Sequence, residues 1–244
     1  MPFLAVSILL QLILIVHVIK TGRNTIWVFV LLFAPVVGGL AYLIVELLPE
    51  LMNSRGARRA KRNVTKAINP NRDLKEASLN LAVADTVQNS MILANQHLER
   101  SQFQEAEELF TRSLRGVHAD DPDILFGLAK AQFGLGKFGD VVSTLDRLKT
   151  TNPKSRSADG HLLYARAHEE LGQVSQAKTE YEALAKYYPG PEPRCRLALI
   201  LKSQGDVEGA RELFRHVVNE SEISGRHYNT LHKEWVALAR REKA

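Results

Sequence analysis

AKAQFGLGKFGDVVSTLDRL, Ala129 to Leu148, sets small residues ahead of a glycine turn, an aromatic residue just after it and further apolar residues at helical spacing. The same order occurs in ANQHLERSQFQEAEELFTRSL (Ala94–Leu114), ARAHEELGQVSQAKTEYEAL (Ala165–Leu184) and ALILKSQGDVEGARELFRHV (Ala198–Val217). Phe103, Phe138, Val174 and Val207 stand 35, 36 and 33 residues apart. Ala106, Val141, Ala177 and Ala210 keep step with them, as do Phe110, Leu145, Tyr181 and Phe214. Registers in phase over four copies predict a repeat architecture in which each unit buries its apolar face against the next. The small residues Ala94, Ala129, Ala165 and Ala198 allow two helices of a unit to touch, and Gly136, Gly172 and Gly205 permit a left-handed turn. Ser101 stands at that turn in the first copy.

These registers resemble the tetratricopeptide repeat family, whose period is about 34 residues. The resemblance implies an all-α solenoid of about four repeats over 73–244. Pro153 and Pro189 close the second and third copies; the first has extra residues before Pro122, read as a longer second helix, and the fourth has no closing proline. Residues 71–85, with Leu74, Leu79 and Leu81, are expected to cap the start. Ser224 to Lys243 is expected to be one amphipathic helix capping the end, with Tyr228, Leu231, Trp235 and Leu238 on its inner face. The resemblance also implies a concave groove lined by the first helix of each repeat. Its inward positions fall on Gln88, Met91, Asn95 and Leu98; Asp123, Phe126, Lys130 and Phe133; Asp159, Leu162, Arg166 and Glu169; and Glu192, Cys195, Leu199 and Lys202. Asn95, Phe126, Lys130, Phe133, Arg166, Glu169 and Lys202 are the candidate contacts for a protein or peptide partner. The family's Lys/Asn/Asn/Lys/Arg clamp for chaperone C-termini is not reproduced.

Outward from the repeats, the charge is uneven. The chain is formally +5, yet from Asp73 onward 23 basic residues face 25 acidic ones. The excess sits between Leu51 and Arg72, which holds seven basic residues and no acid. A nucleic-acid face on the repeats therefore gets no support, and a basic linker over 51–72 beside an apolar segment points to a membrane surface. Arg55, Arg58, Arg59, Lys61 and Arg62 are the candidate headgroup contacts.

Residues 1–50 are nearly uncharged. Two apolar stretches, about 2–19 and 25–48, joined by KTGRN, predict an N-terminal transmembrane helical hairpin. A cleaved signal peptide fits less well, because no basic residue precedes the first stretch and no A-x-A site ends it. Six Lys or Arg from Arg55 to Lys66, against Lys20 and Arg23 in the loop, place the C-terminal side in the cytoplasm and the loop outside. Trp27, Pro35, Gly38 and Tyr42 within TIWVFVLLFAPVVGGLAYLIVELL resemble the two-helix membrane module of the phospholipase D nuclease N-terminal family of bacterial cardiolipin synthases, over residues 5–48. Pro35 is expected to kink the second stretch, with the carbonyl it frees satisfied by a neighbour. The catalytic HxKxxxxD motifs of those synthases do not occur.

No enzymatic chemistry is legible. The lone Cys195 supports neither a disulfide nor a thiolate metal cluster. GLGKFGD, Gly134–Asp140, lacks the phosphate-loop spacing, HEELG, His168–Gly172, is not HExxH, and His227 and His232 are five apart on different helix faces. The reading is a membrane-anchored adaptor at the cytoplasmic face of a bacterial inner membrane, without cofactor, metal, catalysis or nucleic-acid partner. The alternative, implied by the second resemblance, is a non-catalytic accessory subunit of a membrane lipid-synthesis enzyme.

Overall fold

The computed structural model describes residues 2–53, 56, 69–155 and 157–243, and of 2–10, 35, 36 and 51–53 the backbone alone. Every regular element among these residues is helical, so the fold is all-α. The chain divides into two compact units, Met1–Arg72 and Asp73–Ala244.

In the first unit, α1 (Pro2–Lys20) leads through a short turn to α2 (Ile26–Phe33). The single span expected over 25–48 is absent. The chain leaves helical geometry at Ala34 (φ −133°, ψ 69°) and resumes as α3 (Pro35–Tyr42), a π turn (Leu43–Leu47) and α4 (Leu48–Asn53). Pro35 drives the break, because its ring disfavours helical conformation in the residue before it and it has no N–H to offer. The carbonyl thereby orphaned belongs to Leu31, and Gln11 Nε2 of α1 donates to it at 2.8 Å. Gln11 thus explains the one amide in an apolar run.

The break is a reversal rather than a kink. In a continuous helix Trp27 and Tyr42 would stand roughly 22 Å apart at 1.5 Å per residue, whereas their rings meet at 5.3 Å. A β-carbon on Gly38 would lie 2.6 Å from the Val30 carbonyl oxygen, so glycine is what lets α3 fold back onto α2. Arg23, in the turn before α2, ion-pairs with both Glu46 and Glu50, and Trp27 Nε1 donates to Glu46 at 3.0 Å. Leu14, Val18, Leu31 and Tyr42 form the small core. In the π turn, which precedes Pro49, the Leu48 N–H reaches back five residues to the Leu43 carbonyl rather than four to Ile44. Among the described residues no helix is long and apolar enough to cross a membrane. Arg55, Arg58, Arg59, Lys61 and Arg62 lie outside the described residues.

In the second unit, α5 (Arg72–Val83) precedes four helix pairs: α6 (Val87–Glu99) with α7 (Phe103–Ser113), α8 (Pro122–Gly134) with α9 (Phe138–Thr151), α10 (Ala158–Glu170) with α11 (Val174–Leu184), and α12 (Glu192–Ser203) with α13 (Val207–Ile223). The repeat registers are the core. Ala94, Ala129, Ala165 and Ala198 are fully buried, and Phe110, Leu145, Tyr181 and Phe214 fill the space between pairs. Each such large apolar side chain contributes about 2–3 kcal/mol on leaving water. Caps sharpen the starts: Thr86, Asp121, Ser157 and Asp206 accept from backbone N–H groups in the first turns of α6, α8, α10 and α13. Gly136, Gly172 and Gly205 have φ of 73°, 70° and 89°, and Ser101 takes the same turn at φ 56°.

Three expectations need correction. The extra residues before Pro122 do not lengthen α7; they form a 3-10 turn, Gly116–His118, because Leu114 leaves helical geometry and Gly116 sits at φ 58°. Residues 71–85 form a helix, but only Ala77 is buried and Leu79 is exposed, so α5 is a poor cover. The terminal helix is two, α14 (Gly225–Leu231) and α15 (Lys233–Glu242), broken at His232 (φ −109°, ψ 26°). Leu231 is therefore exposed, and Val236 and Ala239 are the buried positions, with Trp235 and Leu238 packed beside them against Cys195, Phe214 and Val217.

Candidate functional site

The first helices of the pairs line one face of the stack: α6 touches α8, α8 touches α10, and α12 touches α15. Along this face the charged and aromatic side chains interlock. On α8, Lys130 Nζ stands 4.8 Å from the centre of the Phe126 ring. Arg166 of α10 lies 4.6 Å over Phe133 of α8, with its Nε 3.7 Å from Glu192 of α12. Arg196 of α12 donates to Glu192 at 2.8 Å and to Glu169 of α10 at 2.9 Å, and covers the Trp235 ring of α15 at 5.1 Å. Tyr181 donates to Glu169 at 2.5 Å. At the far end Lys202 donates to Glu242 of α15 at 2.6 Å, and this bond, with a second from Arg241, holds the Glu242 carboxyl below its usual range.

Of the seven candidate contacts, Phe133, Arg166 and Glu169 thus share one network. Phe126 and Lys130 adjoin it on α8. Lys202 is engaged by the capping helix, and Asn95, exposed on α6, makes none of these contacts. The network's centre, Arg196, was not among them. Its register holds Ile92, Gly127 and Leu163 in the other copies. An arginine where its counterparts are apolar or small is the signal that could have found it. Burial disfavours the Arg196 charge, and Tyr181, Glu192 and Glu169 more than offset that.

The residues with chemical potential elsewhere are structurally occupied. Cys195 is buried and its thiol is pushed up to about 12 by burial, which keeps it protonated and unreactive at neutral pH. His97 bonds Gln102 at 3.0 Å and His168 bonds Gln173 at 2.5 Å, equivalent pairs that tie the two helices of the first and third repeats together. His161 places one ring nitrogen on Tyr187 and the other on Glu180, both at 2.5 Å, at the edge of a cleft of about 910 Å³ between α9, α10 and α11. Among the described residues no group of His, Cys, Asp or Glu could hold a metal ion.

The tetratricopeptide repeat profile matches residues 93–155 and 162–221, together just over half of the sequence. This chain belongs to the tetratricopeptide repeat family. Solved structures with the same fold include the tetratricopeptide protein TTC0263 of Thermus thermophilus, at 18% identity and a TM-score of 0.52, covering 68% of this chain and 88% of that one. YrrB, described as a tetratricopeptide protein with an unusual peptide-binding site, aligns at 16% identity and a TM-score of 0.54 over 74% of this chain and 87% of its own. MamA of Desulfovibrio magneticus aligns at 13% identity and a TM-score of 0.54 over 66% and 93%. At these identities the likeness is one of fold. No curated protein matches the chain. The repeats account for the glycine-rich GLGKFGD and for HEELG, which run from the end of a first helix into the turn to its partner, with Gly136 and Gly172 at positive φ.

Proposed function

We propose that this tetratricopeptide repeat protein is a non-catalytic adaptor that holds a peptide segment of a partner protein in its groove, anchored by its first unit at the cytoplasmic face of a bacterial inner membrane. One observation carries the groove assignment. Arg166, Arg196 and Lys202 each have a carboxylate within 4 Å, whereas Lys130 is exposed over Phe126 with no carboxylate partner among the described residues. A cation left for an incoming acid, beside the half-buried Phe126 and Phe133, suits a segment with acidic and apolar residues. The family's use of such stacks for protein and peptide partners, and the peptide-binding site for which YrrB is described, support the same reading.

The anchor rests on composition and exposure. Phe29, Leu32, Phe33, Val37 and Leu40 all face outward, and a basic segment follows. The resemblance of residues 5–48 to the cardiolipin synthase module favours a second reading, an accessory subunit for a lipid-synthesising enzyme, and the membrane-lipid profile of a deletion strain is its test. For the groove, labelled peptides of varied charge would be titrated against the full chain in detergent. Lys130→Glu should weaken acidic, apolar peptides about tenfold, or about 1.4 kcal/mol, with unchanged circular dichroism. Equal binding by the variant, or a preference for basic peptides, would remove the groove assignment.

A further inference from the structure

The reversal at Ala34–Pro35 bears on how the first unit could meet a bilayer. Arg23, before α2, and Glu46 and Glu50, after α3, are ion-paired, so the two ends of the 26–53 segment are at one place. The opposite end, where α2 turns into α3, is apolar: Phe33 is 81% exposed and Val37 73%. Eight residues of α2 rise about 12 Å, and the twelve from Pro35 to Glu46 about 18 Å, against a hydrocarbon core of about 30 Å. The hairpin therefore has the depth of one leaflet.

Several backbone groups at the turn are paired within the unit. Ala34 N–H bonds Val30 O at 3.0 Å, Gly38 N–H bonds Ala34 O at 2.7 Å, and Gln11 supplies the donor that Pro35 cannot give Leu31. An irregular turn in hydrocarbon requires this kind of satisfaction. At the other end the charges of Arg23, Glu46 and Glu50 are mutually paired and Trp27 hydrogen-bonds Glu46, an arrangement that fits the headgroup region.

We propose that residues 26–53 form a re-entrant hairpin: it enters a lipid bilayer with Phe33 and Val37 foremost and returns to the side it came from, leaving Arg23, Trp27, Glu46 and Glu50 at the surface. The proposal rests on the membrane reading above and revises its topology. The turn at Lys20–Thr25 and the chain after α4 then share one side. Charge argues for this arrangement over a crossing hairpin. A crossing places Lys20 and Arg23 opposite the six basic residues from Arg55 to Lys66, whereas re-entry puts all eight on the same side. Basic residues gathered on one side, with seven and no acid between Leu51 and Arg72, select a bilayer with anionic headgroups as the occupant of the apolar face.

The test is cysteine accessibility in the full chain with Cys195→Ala as background. Thr25→Cys is chosen because Thr25 is exposed and its side chain makes no capping bond; Lys154→Cys reports the repeats and Phe33→Cys the apolar turn. Each is treated with a membrane-impermeant maleimide in bacterial spheroplasts and in inverted membrane vesicles. Thr25→Cys and Lys154→Cys should react in the same preparation, the inverted vesicles, and Phe33→Cys in neither until detergent is added. Reaction of Thr25→Cys in spheroplasts while Lys154→Cys reacts only in inverted vesicles would restore the crossing hairpin and overturn re-entry, with the anchor intact. Rapid labelling of Phe33→Cys in both preparations would place the turn in water and overturn insertion. Recovery of the chain in the carbonate-washed soluble fraction would overturn the membrane reading itself.

Discussion

Ser101 holds φ at 56°, the one non-glycine with positive φ among the described residues, at the turn where later repeats have Gly136, Gly172 and Gly205. A side chain in the left-handed region costs about 1–2 kcal/mol, and glycine's greater freedom in the unfolded chain returns part of that on substitution. Ser101→Gly should therefore raise stability by about 0.5–1 kcal/mol, read as a higher urea midpoint at unchanged slope. A lower midpoint would show that the serine is held there by contacts worth more than its strain. The repeat register made the turn legible in the sequence, because four aligned copies assign a conformation even where the residue type argues against it. Arg196 is the opposite case. Its place in a core register hid it, and only the convergence of Glu169, Glu192 and Trp235 from three helices explains its charge.

The helix pairs followed from periodicity, and their breaks from single residues. Pro35 announced a disturbance, but whether it bends a helix or reverses it depends on what meets it: Gln11 for the orphaned carbonyl, Gly38 for close approach, Arg23 for the returning carboxylates. None of these pairings is visible in local sequence. The same holds for α15, whose inner face shifted to Val236 and Ala239 once His232 broke the helix. This helix covers Cys195 and Phe214 and supplies the carboxylate for Lys202. Removing residues 224–244 should expose that face and lower the thermal midpoint by roughly 5–10 °C, at about 2–4 °C per kcal/mol for a chain of this size. Thermal circular dichroism checks it, and an unchanged midpoint would mean that the last pair needs no cover.

At the scale of the whole molecule, the second unit holds several groups in their protonated forms, Cys195 and Tyr181 buried and Tyr164, Tyr188 and Tyr228 half-buried. Burial foremost lifts Cys195 to about 12 from 9.0, and Tyr164, Tyr188 and Tyr228 to about 12 from 10.0; Tyr181, which donates to Glu169, is raised further. Each raised value means that the folded chain binds the proton more tightly than the unfolded one. The associated stability is complete below about pH 9, begins to fall as the unfolded thiol and phenols titrate, and is lost progressively as pH rises toward the folded values. Urea midpoints should hold level from pH 7 to 9 and decline by pH 11, and Tyr181→Phe should make the decline shallower. A flat profile to pH 11 would contradict the burial of these groups.

Residue order alone carried the all-α class, the four repeats, their turns and the face lined by the first helix of each pair, because a period near 34 residues acts through local helix formation and nearest-neighbour packing, both encoded within a window of one or two repeats. Tertiary structure decided which cations on that face are already paired, leaving Lys130 apart, and whether residues 25–48 run straight or fold back. Both outcomes depend on contacts between residues roughly 20 to 40 positions apart, such as Gln11 with Leu31, Arg23 with Glu46 and Lys202 with Glu242. Hydrogen-bond and charge satisfaction at that range are properties of the assembled fold, where a buried or half-buried polar group takes whichever partner the packing brings within reach.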